Sequence, residues 1–275
     1  MRNSIFLFAL LNILFLISCT NRTEQPCDNH YIKGHNYFLL LKFEDAIKEF
    51  DLSIQADPNN VNAIYGKGRV YLYQNELEKS VSCFNQAIAI DPKFTFAIYD
   101  RAFVQHMLGN NKESLSDFKK VADNRPDFIY SILEIGFFEG EMGKYKLAVE
   151  QFDKIVKIRP DFYLSYGYRA SYKNLMGDKQ GAIDDYTHLI KIKNDHLTAY
   201  YNRGLIYGEL KHYMLAVSDF SKVIELQPGY SKAYTSRGVY EYYLKQNDKA
   251  CADFSNAMEL GDSTAQFYRS KYCSK

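Results

Sequence analysis

Apolar positions recur along this chain in two alternating helical sets. Between Leu197 and Tyr230 the first set is Tyr200, Arg203, Gly204 and Tyr207, and the second is Ala216, Phe220, Val223 and Ile224. Steps of three and four residues put each set on one face of an amphipathic helix. With Leu197 as position 1, the pattern reappears when it is shifted by 34 residues in either direction. Position 8 is small in every period (Gly34, Gly68, Ala102, Gly136, Ala170, Gly204, Gly238). Position 20 is small too (Ala46, Ser80, Ser114, Ala148, Ala182, Ala216, Ala250), and position 24 is always aromatic (Phe50, Phe84, Phe118, Phe152, Tyr186, Phe220, Phe254). Pro58, Pro92, Pro126, Pro160 and Pro228 share position 32, with Asn194 at the vacant place. The small residues allow two helices to approach closely. Gly109, Gly143 and Gly177 at position 15 predict the turn between them, and the proline predicts the end of the second helix. No single pair buries both apolar faces, so stacked neighbours must form the core.

This period and these landmarks resemble the tetratricopeptide repeat family, a helix-turn-helix unit. The resemblance covers seven repeats: 27–60, 61–94, 95–128, 129–162, 163–196, 197–230 and 231–264. It implies an all-α fold, a right-handed α-solenoid of seven 34-residue helix-turn-helix repeats. Position 4 departs from the family: the chain has no Trp and uses His30, Ile64, Ile98, Ile132, Tyr166, Tyr200 and Tyr234 there. Positions 21 and 28 form a stripe that should face the next hairpin, running from Ile47 and Ile54 to Cys251 and Met258. After Thr264 the neighbour is the tail 265–275, read as a capping helix with Ala265, Phe267, Tyr268 and Tyr272 along one side.

Charge adds a second layer. Arg stands at position 7 and Asp at position 23 in the same four repeats, giving Arg101 with Asp117, Arg169 with Asp185, Arg203 with Asp219 and Arg237 with Asp253. This co-occurrence predicts structural braces inside a repeat, because linking each Asp to the next Arg would set Asp117 against Ile135 and Arg169 against Gln151. The first repeat has the milder pair Lys33 and Glu49, the second has Lys67 and Cys83, and the fourth has Ile135 and Gln151. Overall, 34 basic and 33 acidic residues are interspersed for a net charge of +1, which leaves no footprint for nucleic acid.

The N-terminus has its own chemistry. Arg2 precedes an apolar run from Ile5 to Ile17, the length of a signal-peptide core and too short to span a bilayer comfortably. It ends in Leu16-Ile17-Ser18-Cys19, which resembles a bacterial lipoprotein lipobox. The resemblance implies a signal peptide over 1–18, acylation (palmitate among the chains) of Cys19, an anchor and linker over 19–26, and a chain tethered to the cell envelope, at the outer membrane facing the periplasm. Thr20 to Pro26 would reach at most roughly 25 Å at about 3.5 Å per residue, so the first repeat should lie near the membrane.

Of the other cysteines, Cys27 opens the first repeat, Cys83 lies mid-array, and Cys251 and Cys273 share the C-terminal end. That last pair either forms a disulfide or remains two buried thiols. The six histidines carry no metal-ligand spacing, and His30 and His35 read as surface or capping residues. No cofactor motif and no nucleophile-base arrangement is present in the sequence. By resemblance to the family, positions 2, 5, 6, 9, 12 and 13 line a concave groove, here Tyr65, Arg69, Tyr73, Phe96, Tyr99, Asp100, Phe103, His106, Met107, Tyr130, Leu133, Glu134 and Phe137. The opposing reading is that these rings pack between adjacent first helices. Of the residues with which some repeats of this family clamp a C-terminal carboxylate, only Asn202 and Lys232 are met; Gly167, Ser171 and Ser236 fill the other places. The expected function is a non-enzymatic protein-interaction scaffold that binds a peptide or protein. The alternatives are a carbohydrate or peptidoglycan binder, which would use the same rings, and an enzyme with a pocket of perturbed groups. In either membrane-bound case, Cys19→Ala should leave the precursor unprocessed, and mass spectrometry of the mature chain should find Cys19 acylated; an unmodified Cys19 would overturn the anchor.

Overall fold

The computed structural model describes residues 28–273. The predicted signal peptide, Cys19, the linker, Cys27 and the last two residues of the tail lie outside the described residues. Among the described residues there are fifteen helices and no strand. The chain divides into two compact units, one ending at Asn124 and one beginning at Arg125. The first holds α1 (Asn29–Leu39), α2 (Phe43–Ala56), α3 (Val61–Tyr73), α4 (Leu77–Ile90), α5 (Thr95–Met107) and α6 (Asn111–Asn124). The second holds α7 (Ile129–Glu141), α8 (Tyr145–Ile158), α9 (Tyr163–Leu175), α10 (Lys179–Ile192), α11 (Leu197–Glu209), α12 (Tyr213–Leu226), α13 (Ser231–Tyr243), α14 (Asn247–Glu259) and α15 (Ser263–Cys273). Helices pair as hairpins in chain order, and within each unit the second helix of a hairpin packs on the first helix of the next. The fold class is an all-α solenoid built from helix-turn-helix repeats.

The hairpin is closed by one steric contact. A Cβ added to Gly34, Gly68 or Gly238 would lie 2.7–2.8 Å from the ring of Phe50, Phe84 or Phe254, and at Gly204 it would meet Phe220 at 3.1 Å. Those rings are at most 1% exposed. Position 15 takes a left-handed backbone in every repeat. Gly109, Gly143 and Gly177 meet it without strain, and Leu41, Asn75, Lys211 and Lys245 adopt it with φ between 56° and 66°. In the first six repeats the second helix ends at position 30, followed by extended backbone at Asp57, Asp91, Lys193 and Gln227. Lys193 precedes Asn194 rather than proline, so the stop does not require the ring. In that repeat His196 Nδ1 accepts from Ala199 N at 3.2 Å and starts the next helix.

At the C-terminal end, α15 begins at Ser263, two residues before the predicted cap, because the Asp262 carboxylate accepts from Thr264 N at 3.0 Å and from Thr264 Oγ1 at 2.7 Å. Ala265, Tyr268 and Tyr272 form the packed side: both tyrosines stack on Phe254, and Tyr272 lies 4.0 Å from the Tyr242 ring. Phe267 does not join them. It is 61% exposed, because its step of two from Ala265 leaves the helical stripe. Cys251 and Cys273 form a disulfide between α14 and α15, a cross-link that at this loop length is worth about 3 kcal/mol.

All four Arg-Asp pairs lie within a repeat and are bidentate. Arg101 donates to Asp117 at 2.7 and 2.9 Å, Arg169 to Asp185 at 2.8 and 2.5 Å, Arg203 to Asp219 at 2.8 and 2.7 Å, and Arg237 to Asp253 at 2.7 and 2.8 Å. In each, the remaining Nη1 reaches back to position 25 of the preceding repeat: Asn85, Asp153, Thr187 and Ser221, at 2.7–3.1 Å. Lys67, with Cys83 in place of the Asp, makes the backward contact without the fork, to Asp51 at 2.6 Å. Lys33 and Glu49 do not form the milder pair expected of them: Glu49 takes His30 Nδ1 at 2.7 Å, and Lys33 is exposed. Burial pushes the Asp219 carboxyl up, and the Arg203 fork only partly offsets it.

Glu241 lies buried beside the Asp253 brace, and its Oε2 has no hydrogen-bond partner. Burial, with Asp253 adding, holds its carboxyl up at about 7 against the pull of Arg237 and Lys249.

Arg203→Met and Asp219→Leu are each expected to destabilise by about 1–3 kcal/mol, leaving one buried charge unpaired. The double variant should recover part of the loss, because a matched apolar pair removes the desolvation penalty. Losses that simply add in denaturant melts would rule out the coupling. For Glu241 the sign follows from its raised pKa: the folded state keeps a proton that the unfolded chain releases near pH 4.5. Stability should therefore fall as pH rises from there to about 7 and level off above. Glu241→Gln should remove that part of the slope and raise the melting temperature at pH 8 more than at pH 5. Equal effects at both pH values would show that the carboxyl is charged in the folded state.

Candidate partner-binding groove

In the first unit the groove positions divide into two groups. Tyr65, Arg69, Tyr99 and Asp100 are buried at 3–6% exposure. Tyr65 Oη donates to Asp100 Oδ2 at 2.7 Å, Arg69 Nε lies 4.0 Å from the same carboxylate, and the guanidinium sits 5.0 Å over the Phe38 ring. This cluster ties the first helices of three consecutive hairpins through their interior. Burial raises the Tyr65 phenol well above its ordinary range, with Asp100 adding, and burial likewise raises the Asp100 carboxyl against the opposing pull of Arg69. These four side chains therefore stiffen the stack and are not presented to a ligand.

The second group of the first unit stays accessible. Tyr73 is 40% exposed although its ring meets Phe38 edge-on at 5.0 Å. Phe96 and Phe103 are half-buried, and Phe96 meets the Phe94 edge at 6.3 Å. His106 and Met107 are exposed at the end of α5, with His106 Nδ1 3.0 Å from Asn111 Oδ1.

In the second unit Leu133 is buried at 1% exposure and drops out of the groove. Tyr130 and Phe137 are half-buried. Tyr130 is wedged against Phe128 and Phe162, and Phe137 meets Tyr168 edge-on at 4.6 Å. Glu134 lies between them on α7, the most apolar of the first helices. Burial holds its carboxyl up at about 7, with Glu141 adding.

The sequence reading missed two features here. Gly140 and Gly208, at groove position 12, leave room for the rings of Tyr172 and Tyr240 from the next repeat, which come within contact of where a Cβ would stand. Those tyrosines in turn stack on Phe152 and Phe220, each at 5.8 Å. The signal in the sequence was the coincidence of Gly at position 12 with Tyr at position 10 one repeat later. Tyr168, half-buried beside Phe137, also belongs with the accessible rings of this unit. Among the described residues there is no group of three His, Cys, Asp or Glu placed to hold a metal ion. Cys83 is a free thiol whose pKa burial raises.

The comparisons with known proteins agree with this geometry. Family models described as "tetratricopeptide repeat" match residues 61–94 and 198–230, the second and sixth repeats. A search of curated proteins finds no match. Among solved structures, the crystal structure of MamA is similar at 25% identity and a TM-score of 0.57, covering 63% of this chain and 94% of its own. The C-terminal part of a repeat protein from Cytophaga hutchinsonii is similar at 15% identity and a TM-score of 0.73, with 86% and 97% covered. YrrB, described as a TPR protein with an unusual peptide-binding site, is similar at 18% identity and a TM-score of 0.58, with 67% and 95% covered. At those identities the last two speak for the fold alone. Tetratricopeptide repeat models thus match two of the seven periods, and among the described residues a pair of helices stands in each of the seven.

Proposed function

We propose that the chain is a non-catalytic interaction scaffold, held at the bacterial envelope through acylated Cys19, that binds a peptide or protein segment on its groove-facing first helices. The observation that carries this reading is what remains accessible after the interior residues are removed. Phe96, Phe103, His106 and Met107 in the first unit, and Tyr130, Glu134, Phe137 and Tyr168 in the second, combine partly exposed rings with a few polar groups. Rings held rigid by their neighbours lose little freedom on binding and make good anchors for an extended or helical segment. The lipobox-like Leu16-Ile17-Ser18-Cys19 supports the anchor. No described helix is long and apolar enough to cross a membrane, and the proposed attachment needs none.

The fragment beginning at Asp28 keeps every described helix and is the probe. Immobilised and offered envelope proteins and, separately, peptidoglycan fragments, it is expected to retain a protein or peptide. Phe103→Ala or Phe137→Ala should weaken that retention by about tenfold or more. Retention of glycan fragments in place of protein would replace the scaffold reading with the carbohydrate one. Retention untouched by both substitutions would move the binding face elsewhere.

A further inference from the structure

The turn between α1 and α2 carries three consecutive leucines that the core does not use: Leu39, Leu40 and Leu41 are 48%, 66% and 65% exposed. Leu41 occupies the left-handed position, with φ 56°, where other repeats place Gly, Asn or Lys. A γ-branched apolar residue is the least suited of these to that backbone, so the turn gains nothing for folding from its leucines. Its amides are nevertheless paired: those of Leu40, Leu41 and Lys42 donate to the Asn36, Phe38 and Tyr37 carbonyls at 2.9–3.1 Å. Such a tip can enter an apolar medium without carrying unpaired amides into it.

We propose that the Leu39-Leu40-Leu41 turn is a shallow membrane-insertion tip that sets the orientation of the first hairpin on the bilayer. The proposal rests on the Cys19 anchor. Three successive side chains on a tight turn splay in different directions. A groove that takes a helix reads a single stripe at steps of three and four, whereas lipid accepts apolar groups from every side. Distance permits it. Nine steps from Cys19 to Asp28 reach roughly 30 Å at about 3.4 Å each, and α1 separates Asp28 from the tip by about 17 Å. Exposed Lys42 follows at once and suits anionic headgroups, and Glu44 and Asp45 in the first turn of α2 limit the depth.

The absence of tryptophan gives a direct test. Full-length acylated chain carrying Leu40→Trp is reconstituted in phosphatidylglycerol-phosphatidylethanolamine vesicles containing brominated lipid, with Asn59→Trp, at an exposed site at the other end of the same hairpin, as the control. The Leu40→Trp emission should shift to the blue and be mostly quenched, and that of Asn59→Trp should not. Adding Leu39→Ser and Leu41→Ser should abolish the quenching without lowering the melting temperature. Chain that floats with the vesicles while the Leu40→Trp emission stays unquenched, or quenching that survives both serines, overturns the tip and leaves the anchor standing. Chain that does not float, with Cys19 unmodified, overturns the anchor and the tip together.

Discussion

The contact on which the rest depends is the approach of a small residue at position 8 to the aromatic ring at position 24 of the same repeat. Where the small residue is Gly34, Gly68 or Gly238, the ring stands so close that a methyl group would overlap it. Ala102 and Ala170 fill the same place with a methyl and remain fully buried, so the separation varies by about the size of one methyl group. That narrow range fixes how far apart the two helices stand. Only at a fixed separation can Arg at position 7 meet both carboxylate oxygens of Asp at position 23, since a bidentate fork tolerates little error. The steric contact comes first and the brace reports it.

The braces also do what a hairpin contact cannot. Each guanidinium uses two nitrogens within its repeat and a third on the preceding one, so a single side chain couples intra-repeat closure to inter-repeat stacking. In a solenoid, stability is close to a sum of repeat and nearest-neighbour terms, and a residue that enters both makes neighbouring repeats more cooperative. The fourth repeat lacks the fork. There Ile135 is buried, and Gln151 turns to Glu139 at 3.3 Å. Its first helix, α7, buries Ile129, Ile132, Leu133, Ile135 and Phe138, so apolar burial substitutes for the ionic link.

The period, the phase, the helix pairs and the intra-repeat braces were legible because each recurs: a constraint repeated along one chain makes its own comparison set. What was illegible is what happens once. The groove assignment carried positions over from the family and could not foresee that Arg69 and Tyr65 would both turn to Asp100, because that cluster depends on three particular residues in two successive repeats. Lys33 and Glu49 looked like a weak copy of the brace, yet a histidine four residues before the glycine was nearer to the carboxylate. Phe267 was grouped with the cap by its hydrophobicity, and helical geometry excluded it. The pairing of Cys251 with Cys273 stayed open because proximity at one end of a solenoid does not fix the direction in which two side chains point.

The first and last described hairpins meet the same problem with different chemistry. A second helix at the C-terminal side presents Cys251 and Met258 at positions 21 and 28; the first is bonded to α15 and the second stays 36% exposed. There the chain supplies α15, whose Tyr268 and Tyr272 stack on Phe254, together with a covalent tie. On the other side the exposed surface belongs to a first helix, α1, and its end is closed by polar groups. Asp28 caps α1 through His30 N at 2.9 Å and contacts Ser53, while Asn60 bonds both Asp28 and Ser53. That network holds the start of α1 against α2 and α3, while Ile32 and the leucine turn stay exposed. The face of α14 around Phe254 has no such network, and the stacked tyrosines and the disulfide hold α15 over it instead.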